Sequence, residues 1–137
     1  MNQMENYEQD FGILVEAGFI AVKQGDEDSA VKLFKAAQVV NPQHNAPKIG
    51  FGYIALNKLE IPEAIEIFES IVNNENDNFL AKTFLGLCLM LEKTDMERGS
   101  NLVNEVLKGC KDESVIQFAQ ETVRWKKEYF EKETVSK

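Results

Sequence analysis

The sequence predicts an all-α protein built from repeated helix pairs, and three observations lead to that prediction. Two long stretches of the chain, 18–43 and 52–77, match each other. Apolar residues inside each stretch follow the three-to-four-residue spacing of an α-helix. Residues typical of turns and helix starts, such as the run "GDEDS" from Gly25 to Ser29, separate the helical stretches. The two stretches begin 34 residues apart, and a helical repeat of this length predicts helix pairs that stack into a solenoid.

The repeat can be seen by aligning the two stretches. Identical residues occupy equivalent positions at Gly18/Gly52, Ile20/Ile54, Ala21/Ala55, Ala30/Ala64 and Phe34/Phe68. A third copy begins at Gly86, at the same offset from Gly52, and its turn is longer by a single residue. We therefore expect three helix pairs, over about 11–44, 45–78 and 79–111, within a single domain that covers 1–137.

Each element has a physical reason in the sequence. Small residues at Gly18, Ala30 and their equivalents allow the two helices of a pair to approach closely, and Phe34 and Phe68 fill the space between neighbouring pairs. Asp26 or Asp28 can cap the second helix of the first pair. The last helix of a stack needs a cover, and helically spaced apolar residues predict a capping helix at about 112–131.

The repeat resembles the tetratricopeptide repeat (TPR), a helix–turn–helix motif of about 34 residues. The offset between Gly18 and Gly52 equals that length. The first copy fills eight positions of the motif, with Leu14, Ala17, Gly18, Ala21, Ala30, Phe34, Ala37 and Pro42. Lys48 and Lys82 stand where the family has Trp, and the closing Pro occurs only in the first copy. The resemblance implies a TPR-like solenoid of three helix pairs plus a C-terminal capping helix.

The resemblance also implies that the first helix of each pair lines a concave groove. On the family's pattern, the residues that line this groove are Val15, Phe19, Val22, Ile49, Tyr53, Leu56, Leu80, Thr83, Phe84, Leu87, Met90 and Leu91. The run "FLGLCLML", from Phe84 to Leu91, is apolar on all sides. We expect one stripe of it to pack on the partner helix and the other, which includes Phe84 and Met90, to face the groove.

An exposed apolar groove predicts a binding site for an amphipathic or extended segment of a client protein. Two other occupants are open: the N-terminal segment around Tyr7 and Phe11, or a second copy of the chain in a homodimer. The carboxylate clamp of heat-shock adaptors is excluded, because its positions hold Val15, Phe19, Gly50, Leu80 and Phe84, none of which is cationic.

An acidic three-repeat TPR chain with an apolar groove resembles the small chaperones of bacterial type III secretion, which bind needle subunits or translocators. The resemblance implies a non-enzymatic chaperone that masks its client, with a co-chaperone as a further partner. Two alternatives are a TPR assembly scaffold and a homodimeric structural protein whose groove is filled by itself.

Composition and motifs exclude several other functions. A net charge of −8 disfavours nucleic acid and anionic membranes as partners. The N-terminal run "MNQMENYEQD" lacks both the basic segment and the apolar segment that a signal peptide has, so we expect a cytoplasmic protein. His44 lies in a predicted turn, and "NNENDN" at 73–78 lacks the glycine of a calcium loop. We expect no catalytic residue, metal or cofactor.

Overall fold

The described backbone, residues 3–131 of the computed structural model, consists of helices and short turns and contains no strand; side chains are described for residues 8–129. The helices are α1 (Gln3–Lys23), α2 (Glu27–Val40), α3 (Ala46–Asn57), α4 (Ile61–Asn74), α5 (Phe79–Glu92), α6 (Met96–Gly109) and α7 (Glu113–Lys126). A π-helical segment, Lys127–Glu131, continues α7. The predicted all-α class is confirmed.

The helix order follows the period of the sequence. The helices α2, α4 and α6 begin at Glu27, Ile61 and Met96, so the second interval is longer than the first by a single residue. That residue is the insertion in the third copy. Each preceding turn has one residue at positive φ, namely Gly25 (77°), Leu59 (59°) and Lys93 (59°), and these three are evenly spaced along the chain. The helix pairs are thus present, and their stacking into a TPR solenoid stays a prediction.

Short polar side chains cap the N-termini of four helices. Asp26, Asn78, Asp95 and Asp112 each accept a hydrogen bond from a backbone N–H in the first turn of the helix that follows. The N–H of Ser29, for example, donates to Asp26 Oδ1 at 3.2 Å. These bonds satisfy donors that have no partner inside the helix. The predicted cap at Asp26 is confirmed.

The helices group into two compact units, residues 1–67 and residues 68–137, and α4 contributes residues to both. In the first unit α1 packs on α2, and both pack on α3. The buried ring of Phe34 lies among these three helices. A Cβ atom added at Gly18 would lie 2.5 Å from this ring, and one added at Gly50 would also overlap it. The two glycines therefore give room to the ring of Phe34. The sequence predicts close helix approach at Gly18, but it does not predict this role of Gly50.

In the second unit α5 packs on α6 and α7, and α6 packs on α7. The helices α5 and α6 cross at two glycines: a Cβ atom added at Gly86 or at Gly99 would lie 2.8 Å from the carbonyl oxygen of the other. Backbones can come this close only where no side chain intervenes. The buried residues Ala119 and Thr122 of α7 lie where the sequence predicted the capping helix.

Candidate protein-binding surfaces

The twelve predicted groove residues divide into two equal groups by burial. Half of them are buried and offer almost no surface to a partner: Val22, Ile49, Leu56, Thr83, Phe84 and Met90. The others are half-buried or exposed: Val15, Phe19, Tyr53, Leu80, Leu87 and Leu91. Contact with a client stays a prediction for all twelve, but the second group supplies the accessible apolar surface.

In the first unit the accessible residues belong to α1 and α3. The rings of Phe19 and Tyr53 lie 6.0 Å apart, centroid to centroid. Phe19 also packs edge-on against buried Phe34 at 5.2 Å, which fixes the position of its ring. Val15 lies one helical turn before Phe19 and is half-buried. We call Val15, Phe19 and Tyr53 the α1–α3 surface.

In the second unit the accessible residues form one stripe along α5. Leu80, Leu87 and Leu91 are spaced by two turns and then one turn of the helix, so they share a face of it. Leu91 is the most open of them, with 36% of its surface exposed. We call these three residues the α5 stripe.

Phe84 has the same helical register as the α5 stripe, but it belongs to the core. Its ring stacks on Phe68 at 4.9 Å with an interplanar angle of 5°. It also meets Phe118 of α7 edge-on at 4.8 Å. Only 8% of Phe84 is exposed. The expectation that Phe84 faces an open groove is therefore corrected: α4 and α7 supply rings that cover it.

Met90 and Thr83 are also corrected to buried positions. Met90 is 1% exposed and packs with Val103 and Val106 of α6. Its side chain occupies the space beside Gly99, where a Cβ atom would lie 2.9 Å from Met90 Cγ. The hydroxyl of Thr83 donates to the carbonyl of Phe79 at 2.8 Å, so it is satisfied within α5. Most of the run from Phe84 to Leu91 is thus core, and Leu87 and Leu91 are its accessible members.

Val22, Ile49 and Leu56 are the buried members of the predicted set in the first unit. Val22 packs in the same cluster as Ala30 and Phe34. The Tyr7 side chain, predicted as part of an alternative occupant of the groove, lies outside the described residues. Phe11, the other residue of that alternative, packs against the ring of His44 at 4.9 Å.

Two ion pairs join helices of the second unit. Buried Lys82 of α5 bonds Glu105 of α6 at 2.9 Å, and its Nζ lies 5.8 Å from the centroid of the Phe79 ring. Arg98 forms two hydrogen bonds to the carboxylate of Glu69, at 2.8 and 2.5 Å. The sequence gives no sign that Lys82 is paired with a residue on the following helix.

The described residues contain no group of three or more His, Cys, Asp or Glu side chains that could hold a metal ion. Burial raises the pKa of the Cys88 thiol to about 12, so this sulfur is a protonated core group at neutral pH. A cleft of about 120 Å³ in the first unit lies between Val22, Ile54 and the ion pair of Lys58 with Glu27. None of the helices described is long and apolar enough to cross a bilayer.

Comparison of the chain with protein-family models, with curated proteins and with solved structures found no match. The likeness to TPR proteins and to secretion chaperones therefore depends on the residues of this sequence alone.

Proposed function

We propose that this protein is a non-enzymatic, TPR-like binding protein that masks an apolar segment of a client, in the manner of the type III secretion chaperones for needle subunits or translocators. The proposal places it in the cytoplasm, with no cofactor and with a co-chaperone as a further partner. The observation that supports it best is the accessible apolar surface on first helices of pairs, namely the α1–α3 surface and the α5 stripe.

The positions of these residues suit binding better than chemistry. Their apolar side chains can be covered by a partner, and each side chain covered completely would contribute about 1.5–3 kcal/mol. Phe19 packs on the buried ring of Phe34, and Tyr53 packs beside Phe19, so little conformational entropy remains to be lost there on binding. Rigid aromatic side chains of this kind are frequent at the energetic centres of protein interfaces.

Two alternatives predict different partners for the same side chains. A homodimeric structural protein would cover them with a second copy of the chain. An assembly scaffold would depend on charged contacts, whose affinity falls with ionic strength. We favour the client-binding function because all six accessible predicted residues are apolar or aromatic.

The test uses Leu87→Asp and Leu91→Asp, with Val39→Asp as the matched control. Val39 lies on α2, is 83% exposed and belongs to neither surface. Proteins that co-purify with the wild-type chain from the host cell are identified and quantified by mass spectrometry. We expect one client to be lost from both leucine variants and retained by the control. Equal retention by all three variants would contradict the proposal.

The same preparations distinguish the alternatives. Client binding through apolar contacts should change by less than about tenfold between low and moderate salt concentration, where an electrostatic scaffold would lose more. Light scattering gives the mass of the purified chain. A dimer that Leu91→Asp converts to a monomer, with no client at any salt concentration, would support the homodimeric structural protein instead.

A further inference from the structure

His44 is the single histidine of the chain, and it directly precedes Asn45, the N-cap residue of α3. Its Nδ1 accepts a hydrogen bond from the backbone N–H of Ala46 at 3.0 Å. The caps of α2, α5, α6 and α7 are carboxylate or amide oxygens of Asp and Asn. The start of α3 therefore has an imidazole nitrogen as its acceptor, where those four helices have carboxylate or amide oxygens.

The same ring joins α3 to α1. Its centroid lies 4.9 Å from that of Phe11, at an interplanar angle of 54°. The backbone N–H of His44 donates to the carbonyl of Asn41 at 3.3 Å, which fixes the turn that carries the ring. One imidazole thus contacts α1 through its packing on Phe11 and the first turn of α3 through Nδ1.

We propose that His44 is an acid-sensitive latch between α1 and the start of α3. Nδ1 can accept a hydrogen bond only while it has no proton, which requires the neutral ring with its hydrogen on Nε2. Protonation turns Nδ1 into a donor that faces the N–H donor of Ala46. It also places a positive charge at a helix N-terminus, where the helix dipole disfavours cations. Histidine is the side chain that ordinarily changes charge between about pH 5 and 8.

The charged residues closest in sequence to the contacts of the ring belong to α1 and α3. Glu8 and Asp10 of α1 lie within one turn of Phe11, and Lys48 lies in the first turn of α3. The segment 36–43, which leads into the turn, has no charged residue. All three side chains are exposed, so solvent and salt screen their charges. The hydrogen bond from the Ala46 N–H is the direct polar contact of the imidazole.

The sign of the pH dependence follows from the bond. Protonation removes a contact from the folded chain and none from the unfolded chain, so mild acid should lower the free energy of unfolding. The helices that the ring contacts, α1 and α3, also carry Val15, Phe19 and Tyr53. The latch does not depend on the proposed function, because it concerns the stability of the first unit alone.

The test compares the wild-type chain with His44→Asn, whose side chain keeps an acceptor for the same N–H but does not titrate. Urea unfolding at about pH 7.5 and about pH 5.5, on either side of the ordinary histidine pKa, gives the equilibrium constant of each chain. Lowering the pH from about 7.5 to about 5.5 removes one hydrogen bond from the wild-type chain. It should therefore raise the unfolding equilibrium constant of the wild-type chain about fivefold more than that of the variant. In the wild-type chain, the amide resonance of Ala46 should shift together with the ring resonances of His44 during a pH titration.

Two results would overturn the proposal. One is the same pH dependence of unfolding in both chains, which would assign the effect to carboxylates that they share. The other is an Ala46 amide that stays unchanged while the ring titrates, which would show that the hydrogen bond is not formed in solution. The second measurement uses only the wild-type chain and stands even if the variant folds poorly.

Discussion

Single residues at positive φ close the turns between the helices of each pair. Gly25 adopts this conformation without strain, since it has no Cβ atom. Leu59 has the same backbone conformation in the next repeat, although the left-handed region costs an L-residue with a side chain about 1–2 kcal/mol. Its side chain is 78% exposed, so burial does not offset that cost.

Leu59→Gly should therefore stabilise the protein by about 0.5–1 kcal/mol, after the larger entropy loss of glycine is subtracted. Gly25→Ala is the matched opposite change, because a Cβ atom there meets nothing within 4 Å and only the backbone conformation is strained. It should destabilise by about 1 kcal/mol. Urea unfolding of both variants checks the pair; a shift of the same sign in both would contradict this account of the turns.

Glycine has a different role at Gly50, where it gives room to the ring of Phe34. Gly50→Ala should destabilise the protein by about 1–3 kcal/mol, because the new methyl group overlaps a buried ring that cannot move away. Gly12 provides the control, since it is exposed on α1 with open space around its Cα. Gly12→Ala should stabilise by up to about 1 kcal/mol through helix propensity. Thermal unfolding measures both changes, and similar effects at the two sites would refute the packing argument.

At the scale of elements, the aspartates that cap helices make the free energy of unfolding depend on pH under acidic conditions. Hydrogen bonds from the side chain and backbone of Ser29 lower the pKa of Asp26, and those from Ser114 do the same for Asp112. A carboxyl whose pKa is lowered by folding stabilises the protein above its ordinary range. That contribution is lost as the pH falls through the lowered value, below roughly pH 4.

Asp26→Asn with Asp112→Asn removes this acid sensitivity while keeping good capping residues. The double variant should lose less stability than the wild-type chain between about pH 5 and pH 3, and the two should be similar near neutral pH. Chemical unfolding followed by circular dichroism at each pH gives the comparison. Parallel loss in both chains would mean that other carboxylates cause the acid sensitivity.

The helical class and the repeat were predictable because their causes are local. The sequence shows the constant offset between repeats, the aspartates before α2 and α6, and the small residues at Gly18 and Ala30. Lys82 shows where local reasoning ends: its burial depends on Glu105, a residue of another helix. No sequence pattern predicts the π-helical continuation of α7 at Lys127–Glu131.

The candidate site was only partly predictable for a related reason. A helix that is apolar on all sides, as α5 is between Phe84 and Leu91, does not indicate which stripe its neighbours cover. Phe68 and Phe118 cover Phe84, and Gly99 gives room to Met90. These neighbours come from three other helices, so the choice is made by packing. Leu87 and Leu91 keep accessible surface in the same run.

At the scale of the whole molecule, this division predicts which changes unfold the protein. Phe84→Asp puts a carboxylate between the buried ring of Phe68 and the half-buried ring of Phe118. It should unfold the chain or lower its melting temperature sharply. Leu91→Asp changes an accessible side chain and should leave the helical circular dichroism spectrum and the melting temperature nearly unchanged. Similar melting of the two variants would contradict the assignment of Phe84 to the core.

We propose that the accessible apolar side chains of α1, α3 and α5 bind a client protein. The most direct measurement is site-specific photo-crosslinking in the host cell, with a photoreactive amino acid at Leu91 or Tyr53 and, as control, at Val39. We expect Leu91 and Tyr53 to form crosslinks to an apolar segment of one other protein, and Val39 to form few. Crosslinks confined to the chain itself or to a second copy of it, or equal crosslinking from Val39, would contradict the claim.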